Sequence, residues 1–372
     1  MCSDLLSHLS GVRDPRANWN KLYPLEEILL LCLCAVVSGA EGWKGIAEFG
    51  EAKLAWLRRF APVENGIPSP DCLGWVMARL PAKAFQECFV AWTRSVAQLT
   101  EGEVVAIDGK TLRGSHDRSR GQAAIHLVSA WASGNRLCLG QTATAAKSNE
   151  ITAIPALLKL LELRGCIVTI DAMGCQTAIA EQIVAQGADY VLAVKDHQPQ
   201  LHAAVADYFE TARANDFAAV PVSTYEEVDA GHGRCEVRRC WLVADLRTLP
   251  EPQRWRGLRS IALVEAERHQ GGQVSCERRY YSTSLAGEAR QVAEAVRAHW
   301  GIEHQLHWVL DVTFRADDSR VRRDYAPANL ATLRQFSLCL LRRHPAPKSV
   351  KGKRFRAALD DNFRAKVVFG QG

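Results

Sequence analysis

Two short apolar runs in the sequence each end on an aspartate. The run "VVAID" ends at Asp108, and "CIVTID" ends at Asp171. Ligands of an α/β sheet collect at the carboxyl ends of its strands, so aspartates that end neighbouring strands would lie side by side. Two like charges this close repel each other strongly unless a cation lies between them. Since oxygen-only ligands favour Mg²⁺ or Mn²⁺, the pattern predicts a divalent-metal site.

A third carboxylate is needed to complete such a site, and Glu303 in "AHWGIEHQLHWVLD" is the candidate. It lies on a predicted helix whose apolar side comprises Trp300, Ile302, Leu306, Val309 and Leu310. Two cations about 4 Å apart can activate a water or hydroxyl and stabilise the leaving oxygen of a phosphodiester. Asp108, Asp171 and Glu303 are therefore the predicted catalytic and metal-binding residues, with two Mg²⁺ or Mn²⁺ ions as cofactors.

Other interpretations of these residues remain open. Asp108 could cap the turn at the end of its strand, and Asp171 could cap the following helix. His299 and His307 lie four residues either side of Glu303, so one helix face could instead form a zinc site from all three. Trp300 and Trp308 are interpreted as core residues rather than as platforms on which bases stack.

The order of predicted elements indicates the fold class. Three β-type runs begin at Val104, Ile125 and Arg136. A helix, the strand "CIVTI", a second helix and the strand "YVLAVK" follow. This is the order of an RNase H-like mixed sheet, in which an antiparallel meander of strands 1 to 3 joins parallel strands 1, 4 and 5. The prediction is an α/β protein of this type with a β-rich insertion, preceded by a helical domain.

Three regions are expected along the chain. Residues 1–98 form a helical N-terminal domain, and residues 99–345 form the RNase H-like domain. The insertion occupies about 196–290, where Gly271-Gly272 between alternating runs predicts a hairpin. Residues 346–372 are interpreted as a basic C-terminal tail.

Positive charge is concentrated at the C-terminal end. Residues 313–372 carry 14 Lys or Arg and 5 Asp, whereas the preceding residues carry a net charge of −4 within an overall +5. Such a concentration of positive charge is typical of a protein that binds a partner with a phosphate backbone, although a solvated basic tail is the alternative.

Composition excludes several classes of protein. The longest apolar stretch, residues 28–40, is shorter than the roughly 20 residues that span a bilayer, so we expect no membrane association and a cytoplasmic protein. The 12 cysteines are scattered through hydrophobic runs and lack the spacing of a zinc knuckle. Most are expected to be reduced core residues.

Several strings resemble one family. "AIDGKTLRGS", "KSNEITAIPALL", "TIDAMGCQ", "HGRCEVR" and "HWGIEHQLHWVLDVTF" are similar to the ISAs-type insertion-sequence transposases, which include the H-repeat-associated proteins and belong to the DDE transposases. The resemblance covers nearly the whole chain. It implies a metal-dependent DNA strand transferase with an RNase H-like core, whose acid triad falls on Asp108, Asp171 and Glu303.

The resemblance also implies partners and a reaction. The enzyme would cut the terminal inverted repeats of its element, and the freed 3′ hydroxyl would attack double-stranded target DNA, with a homodimer holding both ends. The residues expected to contact phosphates near the scissile bond are Lys110, Arg113, Lys147 and Lys195. The residues expected to hold the duplex are Arg320, Arg322, Arg323, Lys351, Lys353 and Arg354.

One departure from the family pattern adjoins Glu303. His299 stands where the broader superfamily has an arginine, and we expect it to replace that arginine as a phosphate contact. Two other functions stay open: an inactive, DNA-binding remnant of a transposase, and an RNase H-like nuclease without strand transfer.

Overall fold

The structure is a computed structural model that describes residues 2–17, 21–117, 121, 123–144, 150–218, 220–231 and 234–370. Its strands are β1 (Val104–Thr111), β2 (His126–Ala132), β3 (Leu137–Ala143), β4 (Ile167–Ile170), β5 (Asp189–Val194), β6 (Val222–Gly231), β7 (Arg234–Val243), β8 (Ser260–Gln270) and β9 (Gln273–Thr283). They form one mixed sheet in the order β3-β2-β1-β4-β5-β9-β8-β7-β6.

The helices surround this sheet. They are α1 (Cys2–Ser10), α2 (Leu25–Val37), α3 (Trp43–Leu57), α4 (Pro70–Arg79), α5 (Ala82–Val96), α6 (Glu150–Leu158), α7 (Thr177–Ala185), α8 (Pro199–Ala214), α9 (Ala289–His299), α10 (Trp308–Phe314), α11 (Ala326–Arg343), α12 (Val350–Leu359) and α13 (Asp361–Phe369). A π-helical segment, Ile302–His307, joins α9 to α10. No described helix has the length and apolarity that crossing a membrane requires.

The first five strands confirm the RNase H-like arrangement. β1 pairs antiparallel with β2, and β2 with β3, whereas β1, β4 and β5 pair in parallel. Helices α6, α7 and α8 cover one face of the sheet, and α9 packs on the other. Because both faces are covered, these strands have near-continuous apolar sequences rather than alternating ones.

The β-rich insertion extends the central sheet instead of forming a separate one. β9 pairs antiparallel with β5, and β8, β7 and β6 follow outward; we call these four strands the β-arm. The predicted hairpin joins β8 to β9, where Gly271 and Gly272 both have positive φ, as a tight hairpin turn requires. Residues 273–279 of β9 continue past the carboxyl end of β5.

The N-terminal helices share one hydrophobic core with the C-terminal helices. Phe336 of α11 lies 4.7 Å from Phe89 and 5.1 Å from Trp92 of α5 between ring centroids. The same cluster of buried side chains extends through α2, α12 and α13. The region 1–98 therefore packs against the end of the chain.

The segment expected to be a basic tail instead forms α12 and α13. Lys353 Nζ donates to the carbonyl oxygens of Leu341 and His344, at the end of α11. Arg354 donates to the carbonyls of Val36 and Ala40, at the end of α2. The last carbonyls of a helix have no partner within the helix, and cations there also interact favourably with its dipole. Part of the C-terminal charge thus lies inside the protein.

Candidate active site

The two aspartates follow aligned residues of neighbouring parallel strands. Ile107 of β1 lies opposite Ile170 of β4 in the last pair of their ladder. Asp108 directly follows Ile107, and Asp171 directly follows Ile170. From Asp108 to Thr111, β1 pairs with β2 but, among the described residues, no longer with β4, so Asp108 lies where β1 leaves its parallel neighbour.

Burial and repulsion disfavour the charged form of Asp108. Desolvation is the largest cause, and the neighbouring carboxylates Asp171, Glu150 and Glu303 add to it, so the pKa of Asp108 rises to about 7. The carboxylates are thus close enough to act on one another electrostatically. A cation placed among them would remove this penalty.

Asp171 also performs the capping role that its sequence position suggests. Its Oδ1 accepts hydrogen bonds from the backbone N–H groups of Met173 (3.1 Å) and Gly174 (3.4 Å). These bonds fix the carboxylate at the end of β4. Because both involve Oδ1, Oδ2 is left for another partner, and capping and metal binding are compatible.

Glu303 reaches this edge of the sheet from the π-helical segment. The N–H of Trp308 donates to the Glu303 carbonyl five residues earlier, which is the π-helical hydrogen-bond pattern. The Glu303 side chain is about half exposed, and its Oε2 lies 3.1 Å from Nδ1 of His307. The same Nδ1 lies 3.5 Å from Oδ2 of Asp108.

Three of these side chains fit a metal ion. Asp108, Glu303 and His307 each offer one ligand atom, and the three atoms lie within 4.8 Å of one another. His299 has a different partner, since its Nδ1 lies 2.9 Å from the Thr169 hydroxyl. The structure therefore groups Glu303 with His307 and Asp108, rather than with both histidines as the zinc alternative requires.

A further carboxylate, Glu150, lies beside Asp108 and was not identified from the sequence. Its Oε1 lies 2.6 Å from Nε2 of His126, whose Nδ1 lies 2.9 Å from the Thr111 hydroxyl. A Cβ at Gly109 would overlap both the Glu150 carboxylate and the His126 imidazole. An acid in the first turn of a helix is also favoured by the helix dipole, so its sequence position alone did not indicate a site.

Comparison with known proteins identifies the family. Residues 99–340 match the transposase DDE domain, and residues 6–93 match the DDE_Tnp_1-associated region. The chain belongs to the DDE transposase family. Asp108, Asp171 and Glu303 all lie within the matched DDE domain.

Relatives of similar length agree with this family. The "Putative transposase YncI" of Escherichia coli O157:H7 is 40% identical, over 98% of this chain and 94% of its own. The "H repeat-associated putative transposase YhhI" of Escherichia coli K12 is 39% identical, over 99% of this chain and 98% of its own. The resemblance to the H-repeat-associated group is confirmed.

The expected phosphate contacts of the DDE domain occupy different environments. Arg113 and Lys195 are exposed, whereas Lys110 is largely buried and pairs with Asp311 (2.5 Å) and Asp317 (3.7 Å). Lys147 lies outside the described residues. His299, the last residue of α9, is partly buried and contacts the Thr169 hydroxyl.

The residues expected to contact the duplex also differ in exposure. Arg320, Arg323 and Lys351 are exposed, and Arg322 is partly buried and donates to the carbonyl of Gly114. Lys353 and Arg354 are each only 7% exposed because they cap helices. Only the exposed members can meet DNA without rearrangement.

The two tryptophans around Glu303 are exposed, contrary to the interpretation as core residues. Trp300 is 43% exposed and Trp308 57%. The core side of this segment is formed instead by Ile302, Leu306, Val309 and Leu310, as predicted. Arg279 of the β-arm lies over the Trp300 ring at 4.7 Å.

A groove of about 730 Å³ is lined by the β-arm, by α9 and by the π-helical segment. Trp300 and His304 line it near Glu303. Its cationic lining comprises Arg234, Arg238, Arg239, Arg268, Arg279 and Arg297. Four acids, Glu227, Asp229, Glu236 and Glu277, also line it, so the excess of positive charge is small, and all six arginines form ion pairs with nearby acids. The sequence alone does not indicate this surface, because its arginines alternate with acids along the strands.

Proposed function

We propose that this DDE transposase cuts the ends of its insertion sequence and joins the freed 3′ hydroxyl to target DNA. The observation that carries the proposal is the convergence of Asp108, Glu303 and His307 at one point, with Asp108 and Asp171 each directly following the last aligned pair of β1 and β4. These residues come from β1, the end of β4 and the π-helical segment. Their convergence favours an active site over a set of isolated caps.

The side chains fit divalent cations. Asp108, Asp171 and Glu303 would supply carboxylate oxygens, which suit Mg²⁺ and Mn²⁺. When bound, two such ions activate a hydroxyl nucleophile and stabilise the leaving oxygen of a phosphodiester. The chain holds Asp171 in place by the backbone N–H groups of Met173 and Gly174, which keeps one carboxylate oriented.

The groove beside the β-arm is the proposed path for one DNA strand. It opens beside Glu303, and arginine forks suit the geometry of phosphate. Arg113 and Lys195 follow the carboxyl-end regions of β1 and β5 and would contact phosphates near the scissile bond. Arg320, Arg323 and Lys351 would contact the flanking duplex. A homodimer is proposed because both element ends must be joined in one complex.

The test uses duplex oligonucleotides that carry the DNA flanking the gene on each side. With Mn²⁺ or Mg²⁺, the wild type is expected to give nicked ends and then joined products on a denaturing gel. Asp171→Asn and Glu303→Gln are expected to lose at least ~100-fold in cleavage rate, since both remove proposed cation ligands. Glu294→Gln is the matched control, because Glu294 is exposed on α9, where it forms an ion pair with Arg290.

The rival functions give other results. A nuclease without strand transfer would cut the oligonucleotides but never join them. A DNA-binding remnant would retard the oligonucleotides on a native gel and leave them uncut with either ion. Equal cleavage by wild type and Glu303→Gln would contradict the proposed site.

A further inference from the structure

His307 occupies an unusual position for a histidine that serves only the core. It is 3% exposed, yet its Nδ1 lies 3.1 Å from Glu303 and 3.5 Å from Asp108. Two carboxylates therefore face one ring nitrogen. A single proton on that nitrogen can form one good hydrogen bond, whereas a cation shared by the three groups would satisfy all of them.

The remaining ring nitrogen of His307 has a candidate partner in Gln141. His307 and Gln141 line the same cavity of about 10 Å³, which is close to the space that one water needs. His307 Nε2 and Gln141 Oε1 are both buried without a hydrogen-bond partner among the described residues. Gln141 Nε2 donates to the Thr332 hydroxyl at 2.8 Å, which fixes the amide with its oxygen as the remaining acceptor.

A water in the cavity would select one tautomer of His307, because it would accept from Nε2–H and donate to Gln141 Oε1. With the proton held on Nε2, Nδ1 presents its lone pair to Asp108 and Glu303. The partner of the distal nitrogen determines which nitrogen of a metal-binding imidazole is free to coordinate.

We propose that His307 Nδ1 is a ligand of a cation shared with Asp108 and Glu303, and that Gln141 positions the ring for it. The inference rests on the proposed function only for the presence of a divalent ion. One imidazole in a set of carboxylates shifts preference from Mg²⁺ toward Mn²⁺ and other transition metals. The site would thus differ from the oxygen-only site that the aspartates suggest.

The test is pulsed electron paramagnetic resonance on the full chain loaded with Mn²⁺ alone, without DNA. The wild type is expected to show hyperfine coupling from a directly bound ¹⁴N, and histidine labelled with ¹⁵N is expected to change it to a ¹⁵N pattern. Labelling leaves the sequence unaltered, so this measurement does not depend on a variant folding. Absence of nitrogen coupling in Mn²⁺-loaded wild type overturns the inference.

Two variants assign the coupling to one histidine. His307→Gln at saturating Mn²⁺ is expected to lose the coupling, and His299→Gln, eight residues earlier, to keep it. Gln141→Leu is expected to weaken Mn²⁺ binding by about 10- to 100-fold, the usual effect of losing a residue that orients a ligand. Coupling that persists in His307→Gln overturns the inference.

Failure of this inference is distinguishable from failure of the proposed function. Joined DNA products without nitrogen coupling would overturn His307 as a ligand and leave the transposase reaction standing. Nitrogen coupling without joined products would support the ligand and contradict the reaction.

Discussion

Asp108 and Asp171 follow directly on Ile107 and Ile170, the last aligned pair of the β1–β4 ladder. Their backbones are therefore placed side by side by sheet pairing. The sheet core and the turn after β4 hold them there, so their repulsion is relieved by protonation or by a cation rather than by movement.

The first prediction concerns pH. The pKa of Asp108 is raised from its ordinary value to about 7 in the folded protein, mainly by burial. Below about pH 4, Asp108 is protonated in both the folded and the unfolded state and does not lower the free energy of unfolding. As pH rises toward 7 the unfolded state loses this proton first, so the free energy of unfolding falls. Asp108→Asn cannot ionise, so without metal it is expected to be more stable than wild type at pH 8 by up to about 4 kcal/mol. The difference should vanish near pH 4.

Thermal unfolding with a chelator at several pH values measures this effect. Asp318→Asn serves as the control, because that side chain is 65% exposed and pairs with Arg315. Parallel pH profiles for wild type and Asp108→Asn would contradict the prediction.

The second prediction concerns Gly109. Gly109→Ala would push a methyl group into the Glu150 carboxylate and the His126 imidazole, with an expected cost of about 1–3 kcal/mol in the free energy of unfolding. Denaturant unfolding measures the cost. Adding Glu150→Ala is expected to recover part of it, because the overlapping carboxylate is removed.

Gly45→Ala is the matched control for this substitution. Gly45 lies within α3, and among the described residues a Cβ there would contact Ala40 at ordinary van der Waals distance. It is expected to be neutral or stabilising. Equal losses in both alanine variants would show that Gly109 is not under the steric constraint described.

The third prediction separates two neighbouring cations of α12. Arg354→Met would remove the side-chain donor to the carbonyls of Val36, Ala40 and Thr313, at an expected cost of about 2–4 kcal/mol in stability. Lys351 is exposed, so Lys351→Met is expected to change stability by less than about 0.5 kcal/mol. Calorimetric melting temperatures of the two variants provide the comparison, and similar melting temperatures would refute the capping role of Arg354.

The fourth prediction concerns the groove. Each phosphate contact adds about one to the slope of log affinity against log salt, so Arg268→Ala is expected to lower the slope by about 1. Arg268 is about half exposed and lines the groove. Fluorescence anisotropy with a duplex at several salt concentrations measures the slope.

Arg290→Ala is the control for the groove. Arg290 is exposed on α9 and pairs with Glu294 outside the groove lining. It is expected to leave the slope unchanged. A slope that falls equally in both variants would indicate a general charge effect rather than a DNA path.

The pattern of residues predicted the parts of the site that strands position. Strand order places the ends of β1 and β4 together, because parallel neighbours have their carboxyl ends at one edge. The four-residue spacing of Glu303 and His307 also indicated that they are neighbours. The pairing of His299 with the same site was not supported, since the Thr169 hydroxyl on β4 takes its Nδ1.

Exposure of the large side chains was not predictable in the same way. Trp300 and Trp308 are as apolar as core residues, yet Ile302 and Leu306 occupy the core side of the same segment. Which apolar residues of a helix are buried depends on the neighbouring elements as well as on residue type. Glu150 was missed for a similar reason, since its proximity to Asp108 depends on where α6 begins relative to the sheet.

The sequence by itself determined the order of strands and helices, the aspartates at two strand ends and the family, because these follow from short patterns. Tertiary structure alone decided which cations face outward. Arg354 lies more than 300 residues from Val36, whose carbonyl it caps, whereas Lys351 on the same helix is exposed. Charge counted along a chain is local, but the partner of each charge is set by packing between distant segments.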